Sequence, residues 1–422
     1  MKNKGNYGRL DFQVGQIIRS TLTSTLLFLA IYSNAQSFVV FNQQTEQLLN
    51  DKDWPALIEE GQTAIESGLD FLGLRYRMGV AYYEEGNFFK STEHFERALQ
   101  YDQANPYVQE YLYYSYLFSG REKDTRLLAS SFHHDLLMKT DNKQFKWLDF
   151  IYLETGAKQS NKVDSIGTLP FFSLGIGHRL GYRLDLYQAV NFLQQKYLQT
   201  DFRQLEYYLR ADWQIGPGIT LHPAFHYINL DGDLIYDVQP GVNYPLDQQV
   251  WSGYLGLEII RNRWRIQLYY AQIGSDTEVD YSSLDLPYRY PAAINTGQLG
   301  LDLTFTPPFW GDRLWLNGQI AMHEADGTYS MIWKTGLSFY VNKNLSLHGN
   351  YFSSGGALQF VEAQAAILNN SIGTIDSRWS GNLEYRFGKH QSLLLGYQQE
   401  AKTTINNSFH YNTLFLGIKF FL

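Results

Sequence analysis

The sequence predicts two modules of different class, a short α-helical domain followed by an antiparallel transmembrane β-barrel of about fourteen strands, with twelve as the alternative count. Three observations lead there. The hydrophobic period changes from 3.6 to 2 near Trp147. Aromatic residues make up 16% of the chain and charged residues only 18%. Connections along the C-terminal part alternate between short and long.

The 422 residues leave room for two domains, and the composition excludes disorder. After the N-terminus there is no run of about 18 apolar residues, which excludes a bundle of transmembrane helices and leaves a barrel as the membrane option. The net charge is −8 with no basic stretch, so nucleic acid is not an expected partner. Cysteine is absent, which removes disulfides, thiolate metal sites and thiol nucleophiles.

Residues 1–35 read as a signal peptide. Lys2, Lys4, Arg9 and Arg19 form a basic region, Thr21 to Tyr32 a short apolar one, and Ser33-Asn34-Ala35 places small residues before a cleavage site at Gln36. Export is the expectation.

Residues 37–140 carry helical spacing, and comparing the segment with itself at a shift of 34 pairs Tyr82 with Tyr116, Gly86 with Gly120 and Ala64 with Ala98. Met78, Gly79 and Tyr82, followed by Ser91, Phe95 and Ala98, fill one repeat pattern, and here the segment resembles the tetratricopeptide family. The resemblance implies two to three helical hairpins, with Gly79 at a close helix–helix approach and Gly86 in the turn between helices. Stacked hairpins offer a concave face, so a periplasmic or outer-membrane partner protein is expected, with Tyr82, Tyr107, Tyr111 and Tyr114 as candidate docking residues. A spacer or cap for the barrel is the alternative role.

Residues 146–422 read as the barrel. In one segment Leu205, Tyr207, Leu209, Ala211 and Trp213 alternate with Glu206, Tyr208, Arg210, Asp212 and Gln214, and the same two-residue period recurs at 264–270 and 378–387. Tight turns are expected at 180–182, 216–218, 261–263, 307–312, 342–344 and 388–390. Between them lie looser loops at 161–169, 197–202, 229–247, 275–296, 323–328, 354–376 and 403–408. Thirteen strands are countable from Phe171, and placing the helical module on the short-turn side requires one more, supplied by 148–159. The last strand ends Phe420-Phe421-Leu422, which resembles the terminal signal of outer-membrane barrels. Trp213, Trp251, Trp264, Trp310, Trp333 and Trp379 fit aromatic girdles.

The predicted lumen mixes both charge signs: Arg210, Asp212, His222, His226, Glu258, Arg265, Lys334, His348, Arg378, Glu384 and Arg386, with Arg183 and Asp185 near one end. Mixed charges pair and narrow an interior, so a narrow, gated or closed barrel is expected rather than a wide porin. His222 and His226 share one strand face, a pattern open to a metal or proton relay as well as to polar filling of the lumen. Asp231, Asp233 and Asp237 suggest either an oxygen-rich cation loop or a solvated outer loop. No Gly-x-Ser-x-Gly elbow, His-Glu-x-x-His or phosphate-cradling loop occurs. The reading is therefore a non-enzyme with no catalytic, cofactor or metal site.

The whole architecture is similar to exopolysaccharide export porins and secretion-accessory barrels of Gram-negative bacteria. That resemblance implies an outer-membrane location among membrane lipid, a periplasmic helical module, and a transport or secretion-associated role. A closed scaffold barrel is the alternative, and a rim hydrolase of lipid or lipopolysaccharide the third reading. On this topology, Asp231 to Asp237 and Gly355 to Asn370 should face the cell exterior and Asn342-Lys343-Asn344 should not.

Overall fold

The structure, a computed structural model, describes residues 38–140, 145–162, 166–197, 200–235, 243–279, 292–308, 313–370, 374–403 and 408–422. The expected signal peptide, Asp237 and Trp310 lie outside the described residues. The chain divides into two compact units, residues 1–120 and 121–422.

In the first unit, α1 (38–51), α2 (Trp54–Glu66), α3 (Leu72–Glu84), α4 (Phe88–Tyr101) and α5 (Pro106–Phe118) follow one another. Each start from α2 onward, α3 excepted, is capped: Asp53, Asn87 and Asn105 accept the backbone N–H three residues on, satisfying a donor that the helix cannot. Gly86 and Gly120, 34 residues apart, each follow a helix with φ +72°. At the α3–α4 contact a Cβ on Gly79 would sit 2.6 Å from the Phe95 ring, and the Ser91 hydroxyl donates to the Gly79 carbonyl at 2.9 Å. Gly79→Leu is therefore expected to destabilise this unit by about 2–3 kcal/mol through overpacking. The check is amide exchange in α3 and α4, which should quicken while the heat-modifiable mobility of the barrel is retained; unchanged exchange would refute the close approach.

His94 on α4 is 5% exposed, stacked on Tyr82 with ring centroids 5.3 Å apart and beside Arg75. Burial, reinforced by the Arg75 charge, pushes its pKa down from 6.5 to about 4. The unfolded chain therefore takes up a proton below pH 6.5 that the folded unit refuses until pH 4. Stability is lost as pH falls through that window, by about 2 kcal/mol at pH 5. Asp70 works in a separate, lower window: its bond to Arg75 holds it down to about 2, so its contribution is present above 3.8 and lost below that. Amide exchange of α3 and α4 at pH 7 and pH 5 measures the first effect, and a His94→Phe variant should flatten it.

In the second unit, α6 (Glu122–Ala129) and α7 (His134–Thr140) precede β1 (Phe145–Ser160). Then come β2 (Leu169–Leu180), β3 (Leu184–Tyr197), β4 (Thr200–Gly216), β5 (Ile219–Ile235), β6 (Asn243–Arg261), β7 (Trp264–Val279) and β8 (Ala292–Phe305). They are followed by β9 (Leu314–Ala325), β10 (Thr328–Asn342), β11 (Leu345–Ser353), a short pair β12 (Gln359–Glu362) and β13 (Ile367–Asn370), β14 (Thr374–Phe387), β15 (Gln391–Thr403) and β16 (Ser408–Phe421). Fourteen strands, all but β12 and β13, form one closed antiparallel barrel. β1, the strand that parity requires, closes it against β16 from Phe150↔Phe421 to Ser160↔Tyr411.

The outward faces are apolar and exposed: Leu205 53%, Trp213 50%, Leu268 55%, Tyr270 50%, Trp379 60% and Leu414 60%. A belt of that size is not left in water by a folded protein. The barrel spans a membrane. Every strand uses its alternate side chains to fill the interior, as the two-residue period requires.

Five of the six expected tight turns fall between strands, the one at 307–312 lies largely outside the described residues, and three loop expectations change. The connection at 323–328 is a two-residue turn at Asp326-Gly327, with φ +50° and +76°. Asp231 and Asp233 are not in a loop: they lie in β5 opposite Asp247 and Pro245 of β6. Polar residues there reflect strands that continue past the apolar belt. The third change is the largest, because residues 359–370 turn into the lumen as the β12–β13 hairpin.

Candidate lumenal site

The hairpin enters the lumen at Ser354-Gly355-Gly356. Gly355 has φ +58°, and a Cβ there would lie 2.1 Å from the Met331 carbonyl, so only glycine permits the inward bend. Phe360 then stacks on Phe352 of β11 with centroids 5.3 Å apart. Phe360, Val361, Ala365 and Leu368 join Ile228, Val250, Ile273 and Ile332 in a cluster inside the barrel. The expectation that Gly355 to Asn370 faces the cell exterior is thus corrected for the hairpin: its apolar residues pack inside the lumen.

Polar contacts fix the hairpin from both sides of the lumen. Gln298 of β8 clasps the Val361 backbone, accepting its N–H and donating to its carbonyl, both at 3.0 Å. Arg378 of β14 pairs with Glu362, both buried. At the tip, Ala363, Gln364 and Ala365 take φ of +50°, +60° and +62°. For side-chain-bearing residues that conformation costs about 1–2 kcal/mol each. It is offset by bonds from the wall: Tyr208 donates to the Gln364 carbonyl at 2.9 Å, Arg210 to the Gln364 side chain at 2.8 Å, and His226 Nδ1 to the Ala365 carbonyl at 2.8 Å.

Below the tip runs a charged chain. Asp212 accepts from His222 Nδ1 at 2.7 Å and is ion-paired with Arg210, whose Nε lies 3.1 Å away, and Glu258 lies 3.5 Å from Arg265. His226 reaches Glu206 at 3.2 Å, so His222 and His226, expected to share a face, serve different carboxylates. His348 sits between Ser338 and Ser346 at 2.8 and 2.9 Å. Lys334, with Asp302, lines a cavity of about 340 Å³. Glu384 and Arg386 occupy the inward positions at the short-turn end of β14. Arg183 is corrected: it is exposed in the β2–β3 turn, reaching the Gln214 and Ile215 carbonyls.

At that same end, α6 fastens to the barrel. Asp124, 2% exposed, accepts from the Gly218 backbone at 2.7 Å, from Gln214, and from Arg121 at 2.6 Å. Lys123 lies 3.1 Å from Asp212, and Arg126 pairs with Asp185. Grouped by its sequence with the helical module, α6 is a cap on the β3–β5 side of the short-turn rim.

Of the docking candidates, Tyr107 is 69% exposed and Tyr111 and Tyr114 are half-buried. Tyr82 is corrected: it packs in the core of the helical unit with its hydroxyl bonded to Gln62, so it offers no surface. Glu362, Gln364, Gln298 and Asp124 were not singled out as site residues. The available signal was Leu358, Phe360, Val361, Ile367 and Leu368, an apolar content out of place in a solvated loop.

No known protein family and no curated protein matches this sequence. Among solved structures, the chain is similar to the Pseudomonas putida toluene transporter TodX (9% identity, 65% of this chain and 89% of that chain, TM-score 0.43). It is also similar to the monoaromatic hydrocarbon channel CymD (10%, 72% and 92%, TM-score 0.42). A third is the translocator domain of the autotransporter NalP from Neisseria meningitidis (8%, 68% and 93%, TM-score 0.39).

Proposed function

We propose that the protein is a non-enzymatic, gated transport barrel of the outer membrane, with the β12–β13 hairpin as gate and α6 as a cap at the opposite mouth. The single observation that carries this reading is the hairpin itself. Its tip is strained at three consecutive residues and held chiefly by polar side chains from several strands. Strained segments held by exchangeable contacts are suited to two states. In the same reading the helical unit, as two to three tetratricopeptide-like hairpins, faces the periplasm and docks a partner protein through a surface that includes Tyr107.

A closed scaffold barrel is the second reading, favoured by the apolar packing of Phe360 on Phe352. Planar-bilayer recording separates the two. The intact chain should show low, intermittent conductance, and a variant with 357–369 replaced by a short Gly-Ser link should conduct steadily. Silence in both would leave the scaffold.

A further inference from the structure

Beside the hairpin, in the long-loop half of the interior, lies a cavity of about 580 Å³. One wall of this cavity is apolar although it is lumenal: Leu169, Phe171, Leu193, Phe202, Leu230 and Leu246, all inward-facing positions of β2 to β6. The facing wall is cationic, with Lys158, Arg378 and Lys402. A lumen filled only to narrow the barrel has no need for this segregation.

The cations are not equally served. Lys158 pairs with Glu400 and Arg378 pairs with Glu362. Lys402, 2% exposed, is 3.7 Å from Glu400, a carboxylate already taken by Lys158 and approached by Arg378 at 3.7 Å. Besides that ion pair its ammonium lies 5.4 Å from the centroid of the Tyr411 ring. Glu206, the other carboxylate on the cavity, is occupied by His226, Asn191 and Gln204. Three cations, Lys158, Arg378 and Lys402, thus share two carboxylates, Glu400 and Glu362, and a buried surplus cation is costly unless an anion completes it.

We propose that this cavity binds a mid-sized organic anion, a compound with one carboxylate- or sulfonate-type head that meets Lys402 and an apolar tail that lies on the Phe171–Phe202 wall. Ile367 and Leu368 of the gate hairpin also line the cavity, so an occupant touches the gate directly. The inference deepens the transport reading by naming a ligand class, but binding is measured without any conductance.

The test uses the full chain in lipid nanodiscs, titrated calorimetrically with octanoate, acetate and 1-octanol. Octanoate is expected to bind saturably at one site, at least tenfold more tightly than either control, because acetate lacks the tail and octanol the charge. Lys402→Gln should weaken octanoate at least tenfold and leave octanol unchanged. Phe202→Asn should weaken octanoate and leave acetate unchanged. Octanoate binding no tighter than acetate or octanol, or indifferent to both substitutions, would overturn the proposal. Should either variant fail to show heat-modifiable mobility, competition in the unaltered protein decides: hexanesulfonate must displace octanoate, and failure to do so refutes the site. Binding with a silent hairpin-deleted barrel would remove the gate reading and keep the site; steady conductance without binding would do the reverse.

Discussion

Replacing Arg378 by alanine is expected to free the gate hairpin. Arg378 is 6% exposed and holds Glu362, itself 1% exposed, from the strand that follows the hairpin. Removing one partner of a buried ion pair typically costs about 3–5 kcal/mol. The lost contact to Glu362 falls on the hairpin, while β14 keeps its backbone pairing with β11 and β15. Amide exchange at 359–370 should accelerate by two orders of magnitude or more, the rate equivalent of about 3 kcal/mol. The guanidinium also lies over the Phe352 ring, 4.3 Å from its centroid, so Arg378→Lys should restore protection only in part. Exchange as slow as in the unaltered protein would mean that apolar packing alone retains the hairpin, and the gate reading would lose its latch.

Asp124→Ala should have a comparable effect at the other mouth. One carboxylate there accepts from Arg121, from Gln214 and from the Gly218 backbone, three donors drawn from the start of α6 and from the β4–β5 turn. Truncation takes the carboxylate from a 6%-exposed arginine and orphans a buried backbone N–H, for a cost of about 3–5 kcal/mol. Because the chain has no cysteine, a single introduced thiol is a clean reporter. Thr125→Cys, at a site 4% exposed, should react slowly with a polar maleimide by itself and quickly when combined with Asp124→Ala. Equal rates would show that Lys123 and Arg126 hold the helix unaided. Released α6 should also raise conductance in the hairpin-deleted barrel, which ties the two mouths to one path.

The sequence by itself determined the features that depend on neighbours along the chain. Lipid outside and side chains inside impose a two-residue period on every strand, so the inward set from Arg210 to Arg386 and the outward belt through Leu205, Leu268 and Leu414 are both legible. Turn chemistry is equally local, which is why five of the short turns and the need for a strand at 148–159 are legible, while the close helix approach at Gly79 is what the tetratricopeptide resemblance implies. The tertiary structure alone decided which lumenal groups meet. Tyr208 and Gln364 are 156 residues apart, and Lys158 and Glu400 are 242 apart. No period distinguishes a polar side chain that faces water in a lumen from one that grips a hairpin there. The direction taken by residues 359–370 was set by the same limit. Their apolar residues are as compatible with an outer loop packed on itself as with a plug, and the difference lies in the interior volume of a fourteen-strand barrel, which exists only once β1 has closed on β16.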